Sequence, residues 1–234
     1  MNQQKVVAIP VISDMLSDQR VHRSATTLSL NDFNVIVICR YAKNSVDYNI
    51  KRNYKISHIK TIFIKGPFFY IGFNIHLFFK LIKIKPNIIL ANDIDTAIAS
   101  FFYAKLFRIK IILDSHELFS EVPELINRSI IKRIWKIAEN IIIPRANYVI
   151  TPSQSIANYY NIKYNITPIV IRNVPITNLS NSSDIQHNLS QIPLDKDKVV
   201  ILYQGAINKD RGLEELIDAA QLLSYKFDNL LFLI

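Results

Sequence analysis

Short apolar runs with no polar alternation, separated by stretches of helical period, constrain this chain more than any other feature. Val6–Ile12, Asn34–Cys39, Ile88–Ala91, Ile109–Leu113, Tyr148–Thr151 and Ile169–Arg172 read as strands, and Thr61–Lys65 as a further one. A strand with one face in water alternates, whereas a strand apolar throughout is buried on both faces, which means a parallel sheet covered by helices. Between these runs, Asp18–Leu30, Phe68–Ile82, Asp95–Phe107, Ser129–Ile143 and Ser153–Tyr160 read as helices, while Tyr41–Lys60 is polar and irregular. Regular strand–helix alternation predicts a doubly wound α/β domain over residues 1–174.

Pro175–Lys198 is rich in Asn, Ser, Asp and Pro, lacks an apolar run, and reads as a linker. Val199–Tyr203 and Leu230–Ile234 then read as strands flanking an amphipathic helix, Gly212–Tyr225. One βαβ unit cannot cover both faces of its own sheet. Residues 199–234 are therefore expected to be the opening of a second α/β domain, with the chain cut inside it.

Glycines exclude several functions. The four present, Gly66, Gly72, Gly205 and Gly212, permit neither a G-x-G dinucleotide fingerprint nor a P-loop, and no G-x-S-x-G elbow occurs. The single cysteine, Cys39, excludes an internal disulfide and a cysteine-based zinc site, and its place on a strand suits a small buried hydrophobe. His116-Glu117 does not open an H-E-x-x-H zinc motif, because position 120 is Ser120. Met1–Lys5 is polar and Val6–Ile12 is short for a signal sequence, so a cytoplasmic protein is expected. Ile62–Ile82 is interrupted by Lys65, Pro67, Asn74, His76 and Lys80, which makes it a poor spanning segment.

Positive charge is concentrated. Of a formal net +9, residues 41–90 carry nine cations against one acid, Asp47. Phe68, Phe69, Lys80 and Lys83 lie in the aromatic part of this region. Basic residues beside aromatics suit an anionic membrane surface, the peripheral contact expected at the inner face of the cell membrane. A solvated basic face over a core helix fits the same residues equally well. Nucleic acid is the least supported partner, since no helix-turn-helix or RNP-like pattern accompanies the charge.

Open α/β sheets bind ligands beyond the carboxyl ends of their strands. The polar residues there are Asp14 and Arg20 after the first strand, Asp93 after the Ile88 strand, and Asp114, His116 and Glu117 after the Ile109 strand. D-S-H-E is the densest of these groups, and a histidine beside carboxylates is a tunable proton carrier or a sugar-hydroxyl contact. In the second unit a strand leads through Gly205 into a loop with Lys209 and Arg211 before a helix. That arrangement suits a diphosphate, and equally an N-cap with two exposed cations.

IILDSHELFSEVPEL (Ile111–Leu125) and ILYQGAINKDRGLEELIDAAQLL (Ile201–Leu223) resemble two segments of bacterial family 4 glycosyltransferases. SDMLSDQRVHRSATTLSLNDFNVIVI, YVITPSQSIANYY and VIRNVP resemble further segments of the same family. The resemblance implies a GT-B fold, two Rossmann-like domains, the first binding an acceptor and the second a nucleotide-sugar. It implies transfer with retention of configuration and neither metal nor cofactor. His116 matches the histidine near the transferred sugar, Arg211 the basic residue on the donor diphosphate, and Gly205 the glycine where the loop approaches the donor. The sequence departs from the family in having Gly205-Ala206 where relatives carry Gly-Arg, and in lacking a glycine-rich loop after the first strand. The E-x7-E segment that holds the donor would lie beyond residue 234.

The leading expectation is a glycosyltransferase, or the N-terminal fragment of one, that uses a lipid-linked or cell-surface polysaccharide acceptor. Alternatives are a non-catalytic sugar- or lipid-binding remnant and a GT-B sugar-nucleotide epimerase. With so little of the donor side present, the chain as given is expected not to transfer sugar.

Overall fold

The computed structural model of the chain describes residues 4–15, 18–41, 51–122, 125, 128–174, 197–205, 207 and 212–234. The chain divides into two units, Met1–Asn173 and Val174–Ile234.

In the first unit the strands are β1 (Val6–Pro10), β2 (Asn34–Arg40), β3 (Lys55–Ile59), β4 (Ile88–Asn92), β5 (Lys110–Asp114), β6 (Tyr148–Thr151) and β7 (Ile169–Val170). They form a seven-stranded sheet in the order β3-β2-β1-β4-β5-β6-β7, and every pairing is parallel. The helices are α1 (Gln19–Leu30), α2 (Pro67–Ile84), α3 (Asp93–Phe107), α4 (Ser129–Ile142) and α5 (Gln154–Tyr164). Side chains on the two faces of the central strands enter two separate cores. Ile89, Ala91, Ile111 and Leu113 pack with Phe73, Leu77 and Ile94, while Val7, Ile9, Val35 and Val37 pack with Val21 and Ala25 of α1. This two-sided burial is the reason those strands do not alternate.

Local signals set the helix ends. Asp18 caps α1, its carboxylate accepting the Val21 N–H at 2.9 Å. Pro67 opens α2 after Gly66, whose φ of +78° disfavours any side chain. Ser153 caps α5 by accepting from the Ile156 N–H.

Two expectations fail at one sheet edge. Residues 55–59, read as irregular, form β3, whose K-I-S-H-I lacks a continuous apolar run because it is an edge strand. Thr61–Lys65, read as a strand, is not one, and Ile62 (92% exposed), Phe63 and Ile64 stand in solvent.

The second unit has β8 (Val199–Leu202) parallel to β9 (Leu230–Leu233), joined through α6 (Leu213–Ser224). Residues 175–196 of the expected linker lie outside the described residues.

Candidate active site

Strand order reverses between β1 and β4. The chain leaves β1 toward β2 and leaves β4 toward β5, so the loops at their carboxyl ends part and open a crevice. Asn92 anchors the split. It is buried, and its Nδ2 donates to the Pro10 carbonyl at 3.0 Å, joining the ends of β4 and β1. The following residue, Asp93, takes a left-handed backbone with φ of 57°, a conformation tolerated best by Gly, Asn and Asp.

That turn aims Asp93 at the loop after β5. Its Oδ1 accepts the His116 backbone N–H at 2.8 Å, and its Oδ2 lies 3.5 Å from His116 Nδ1. On the other side of the ring, Nε2 stands 3.6 Å from Asp114 Oδ2. Asp114 is in turn held by Arg20 from α1, whose Nε donates to Oδ2 at 3.0 Å and whose Nη2 donates to Oδ1. Arg20 Nη1 also donates to the Ile171 carbonyl at 3.2 Å. A histidine therefore sits between two carboxylates, with a guanidinium behind one of them.

Charge follows geometry. Burial alone would lower the His116 pKa, but Asp114 and Asp93 outweigh it and hold the imidazole above 6.5. Burial pushes Asp93 up to about 6, with His116 pulling the other way. Burial would also raise Asp114, yet His116 and Arg20 reverse this and hold it below the usual carboxylate range. One carboxylate is fully ionised and the other titrates near neutrality, so the group can hold or pass a proton close to pH 7.

Asp93 and His116 line a cavity of about 820 Å3. Its walls include Ile71 and Ile75 of α2, Ile98 of α3, and Ile131, Ile134 and Trp135 of α4, and Glu117 and Arg128 also line it. Tyr70 meets Trp135 edge-on at 5.3 Å, and Phe119 meets it at 5.1 Å, closing one side. Buried Glu139 fixes the intervening loop, accepting the Ser120 N–H and the Ser120 Oγ–H, each at 2.9 Å. The cavity volume suits a drug-sized or larger ligand, and its chemistry suits one that is mostly apolar with a polar head.

The family model for Glycosyltransferase Family 4 matches residues 18–175, well over half of the chain. The chain belongs to glycosyltransferase family 4. No curated protein sequence matches it. Among solved structures, the family 4 chain resembles sucrose-phosphate synthase from Thermosynechococcus elongatus, at 15% identity and a TM-score of 0.67 over 98% of this chain and 70% of that one. It resembles Anabaena Alr3699/HepE in complex with UDP and glucose at 16% identity, with a TM-score of 0.68 over 98% of this chain and 60% of that one. UDP-GlcNAc 2-epimerase from Methanocaldococcus jannaschii aligns at 11% identity, with a TM-score of 0.57 over 99% of this chain and 66% of that one. These likenesses establish the GT-B fold. The chain spans 60–70% of the length of these structures.

Within this family 4 chain the residues singled out from sequence separate into groups. His116, Asp93 and Glu117 line the cavity together. Asp14 is half-buried in the loop after β1. Arg20, read as a substrate contact, is instead buried, with its guanidinium taken up by Asp114 and the Ile171 carbonyl, so it reaches the site only through Asp114. Phe69, read as a membrane contact, is 3% exposed and packs under the Arg40 guanidinium at 4.9 Å, because it lies on the core face of α2. Lys80, read likewise, is tied to β3, donating to Ser57 Oγ at 2.9 Å and to the His58 carbonyl at 2.6 Å. Phe68 and Lys83 are exposed. In the second unit Gly205 is exposed, and a Cβ there would stand 3.2 Å from the Tyr203 hydroxyl; Lys209, Asp210 and Arg211 lie outside the described residues.

Trp135, Arg128 and Glu139 escaped the sequence reading. All three belong to α4 or its N-cap, remote in sequence from the strand ends where ligands were sought. The available signal was compositional. Trp135 is the only tryptophan in the chain, and Glu139 is an acid inside an otherwise apolar helix face.

Proposed function

We propose that the chain carries the acceptor-binding half of a retaining glycosyltransferase, which moves a sugar from a nucleotide-sugar donor to a lipid-linked glycan acceptor at the cytoplasmic face of a membrane. The observation that carries this reading is the mostly apolar cavity lined by Asp93 and His116. An acceptor with a lipid portion and a sugar hydroxyl has the same distribution of polarity. The HepE structure, in complex with UDP and glucose, supports the donor class. Gly205 and Arg211 are the residues that the family resemblance assigns to that donor.

In the reaction, the bond from the anomeric carbon to the diphosphate breaks. The acceptor oxygen bonds to the same face of that carbon, and its proton passes to the departing diphosphate. Asp93 accepts a hydrogen bond from the acceptor hydroxyl and orients it. His116, whose protonated form its two carboxylates favour, donates to a sugar oxygen and stabilises charge as the diphosphate leaves. An epimerase needs no second substrate, so the cavity favours transfer over that alternative.

Trp135 provides the test, since it is the single tryptophan and it lines the cavity. A short-chain polyprenyl diphosphate sugar should shift its emission saturably, and UDP-sugar alone should not. Mass spectrometry of the carrier after incubation with UDP-sugars reads transfer. Saturable binding without transfer would favour the non-catalytic lipid-binding remnant, and no saturable response would sink the acceptor assignment.

A further inference from the structure

α4 carries a second apolar face that its own domain does not cover. Ile130, Ile134, Ile137 and Ile141 recur at helical spacing along it, and all four are exposed, from 44% to 77%. The opposite side of the helix is inside the domain, where Trp135, Glu139 and Ile142 are buried. α2 repeats the arrangement. Phe68, Ile71, Ile75 and Phe79 are each more than half exposed, while Phe69, Phe73, Leu77 and Leu81 are in the core. Both outer stripes border one opening, because Ile71 and Ile75 of α2 and Ile134 of α4 also line the cavity.

We propose that the isoleucine stripe of α4 joins the outer stripe of α2 in seating the protein on an anionic bilayer, with the cavity opening toward the lipid between them. This rests on the membrane-surface reading above and adds the second contact. Charge selects the occupant. Lys132 and Lys136 are paired with Glu121 at 2.6 and 3.0 Å. Arg128 and Arg133 form no ion pair among the described residues, and Glu139 is buried. The rim of the stripe therefore offers two cations, Arg128 and Arg133, that no acid among the described residues pairs, as an anionic headgroup layer requires. α2 is long and apolar enough to cross a membrane. Its inner face is committed to the sheet, however, so it lies in the interface rather than across it.

Flotation with phosphatidylglycerol–phosphatidylcholine vesicles, against phosphatidylcholine alone, tests this. The double variants are Ile130→Asp with Ile137→Asp on α4, and Phe68→Asp with Phe79→Asp on α2, each checked for folding by circular dichroism. The unmodified chain should bind the anionic vesicles, and each double variant should bind at least about tenfold more weakly. If only the α2 pair weakens binding, the inference for α4 is overturned while the membrane reading stands. If the unmodified chain ignores vesicles, both fall. If sedimentation shows a dimer that the α4 pair dissociates, the stripe is instead an interface between copies, and the inference is again overturned.

Discussion

Arg20 and Asp114, 94 positions apart in the chain, make a buried two-point contact in which Nε donates to Oδ2 at 3.0 Å and Nη2 donates to Oδ1. It joins the first turn of α1 to the end of β5 and so sets one of the two carboxylates that flank His116. Removing one partner leaves the other charge buried and alone, which typically costs about 3–5 kcal/mol. Arg20→Ala should lower unfolding free energy by about that amount in urea titrations. Arg20→Lys, which cannot make the forked contact, should recover only part of it.

Asp114 also gives the fold an acid limit. Its folded-state pKa is depressed below the 3.8 of the free group. The stabilisation is therefore complete above pH 3.8 and lost as pH falls through the lower folded value. Melting temperatures of the native chain should drop on acidification below that point, and those of Asp114→Asn should show a smaller drop.

Asp93 has the opposite sign. Its folded pKa is raised to about 6, so its contribution is present below the free value of 3.8 and lost as pH rises through about 6. Asp93→Asn keeps an acceptor for the His116 N–H, tolerates the left-handed backbone, and removes an ionisation that the fold disfavours. At pH 7.5 the variant should be as stable as the parent, or more stable by about 1–2 kcal/mol. If Asp93 orients the acceptor hydroxyl, turnover should nevertheless fall by about 100-fold. A parallel loss of stability and turnover would count against that role.

His116 should titrate above 6.5. Its stabilising contribution is complete below 6.5 and disappears as pH rises through the raised folded value. NMR of the ring Cε1 proton can follow this directly, and Asp93→Asn should move the midpoint down. An unchanged midpoint would show that Asp93 does not act on the ring.

Glu139→Ala should release the loop behind His116. Two hydrogen bonds from Ser120 end on that buried carboxylate, and their loss should cost about 2–4 kcal/mol. Trp135, one helical turn away on α4, should report the change as a red-shifted emission.

Sequence alone determined the parallel α/β architecture, because burial on both faces leaves its mark on every residue of a short strand. It also placed His116 at a strand end, since D-S-H-E follows directly on an apolar run. Local pattern failed where burial is one-sided. β3 is an edge strand with no continuous apolar run, and Ile62–Ile64 looks like a strand although nothing covers it. Composition likewise could not separate Phe68 from Phe69, or Lys83 from Lys80. Neighbouring residues on a helix point about 100° apart, and only docking on the sheet decides which of them is buried. Tertiary structure alone decided the partners of His116. Asp93, Asp114 and Arg20 come from α3, β5 and α1, and strand order, which depends on contacts between distant segments, is what brings them to one crevice.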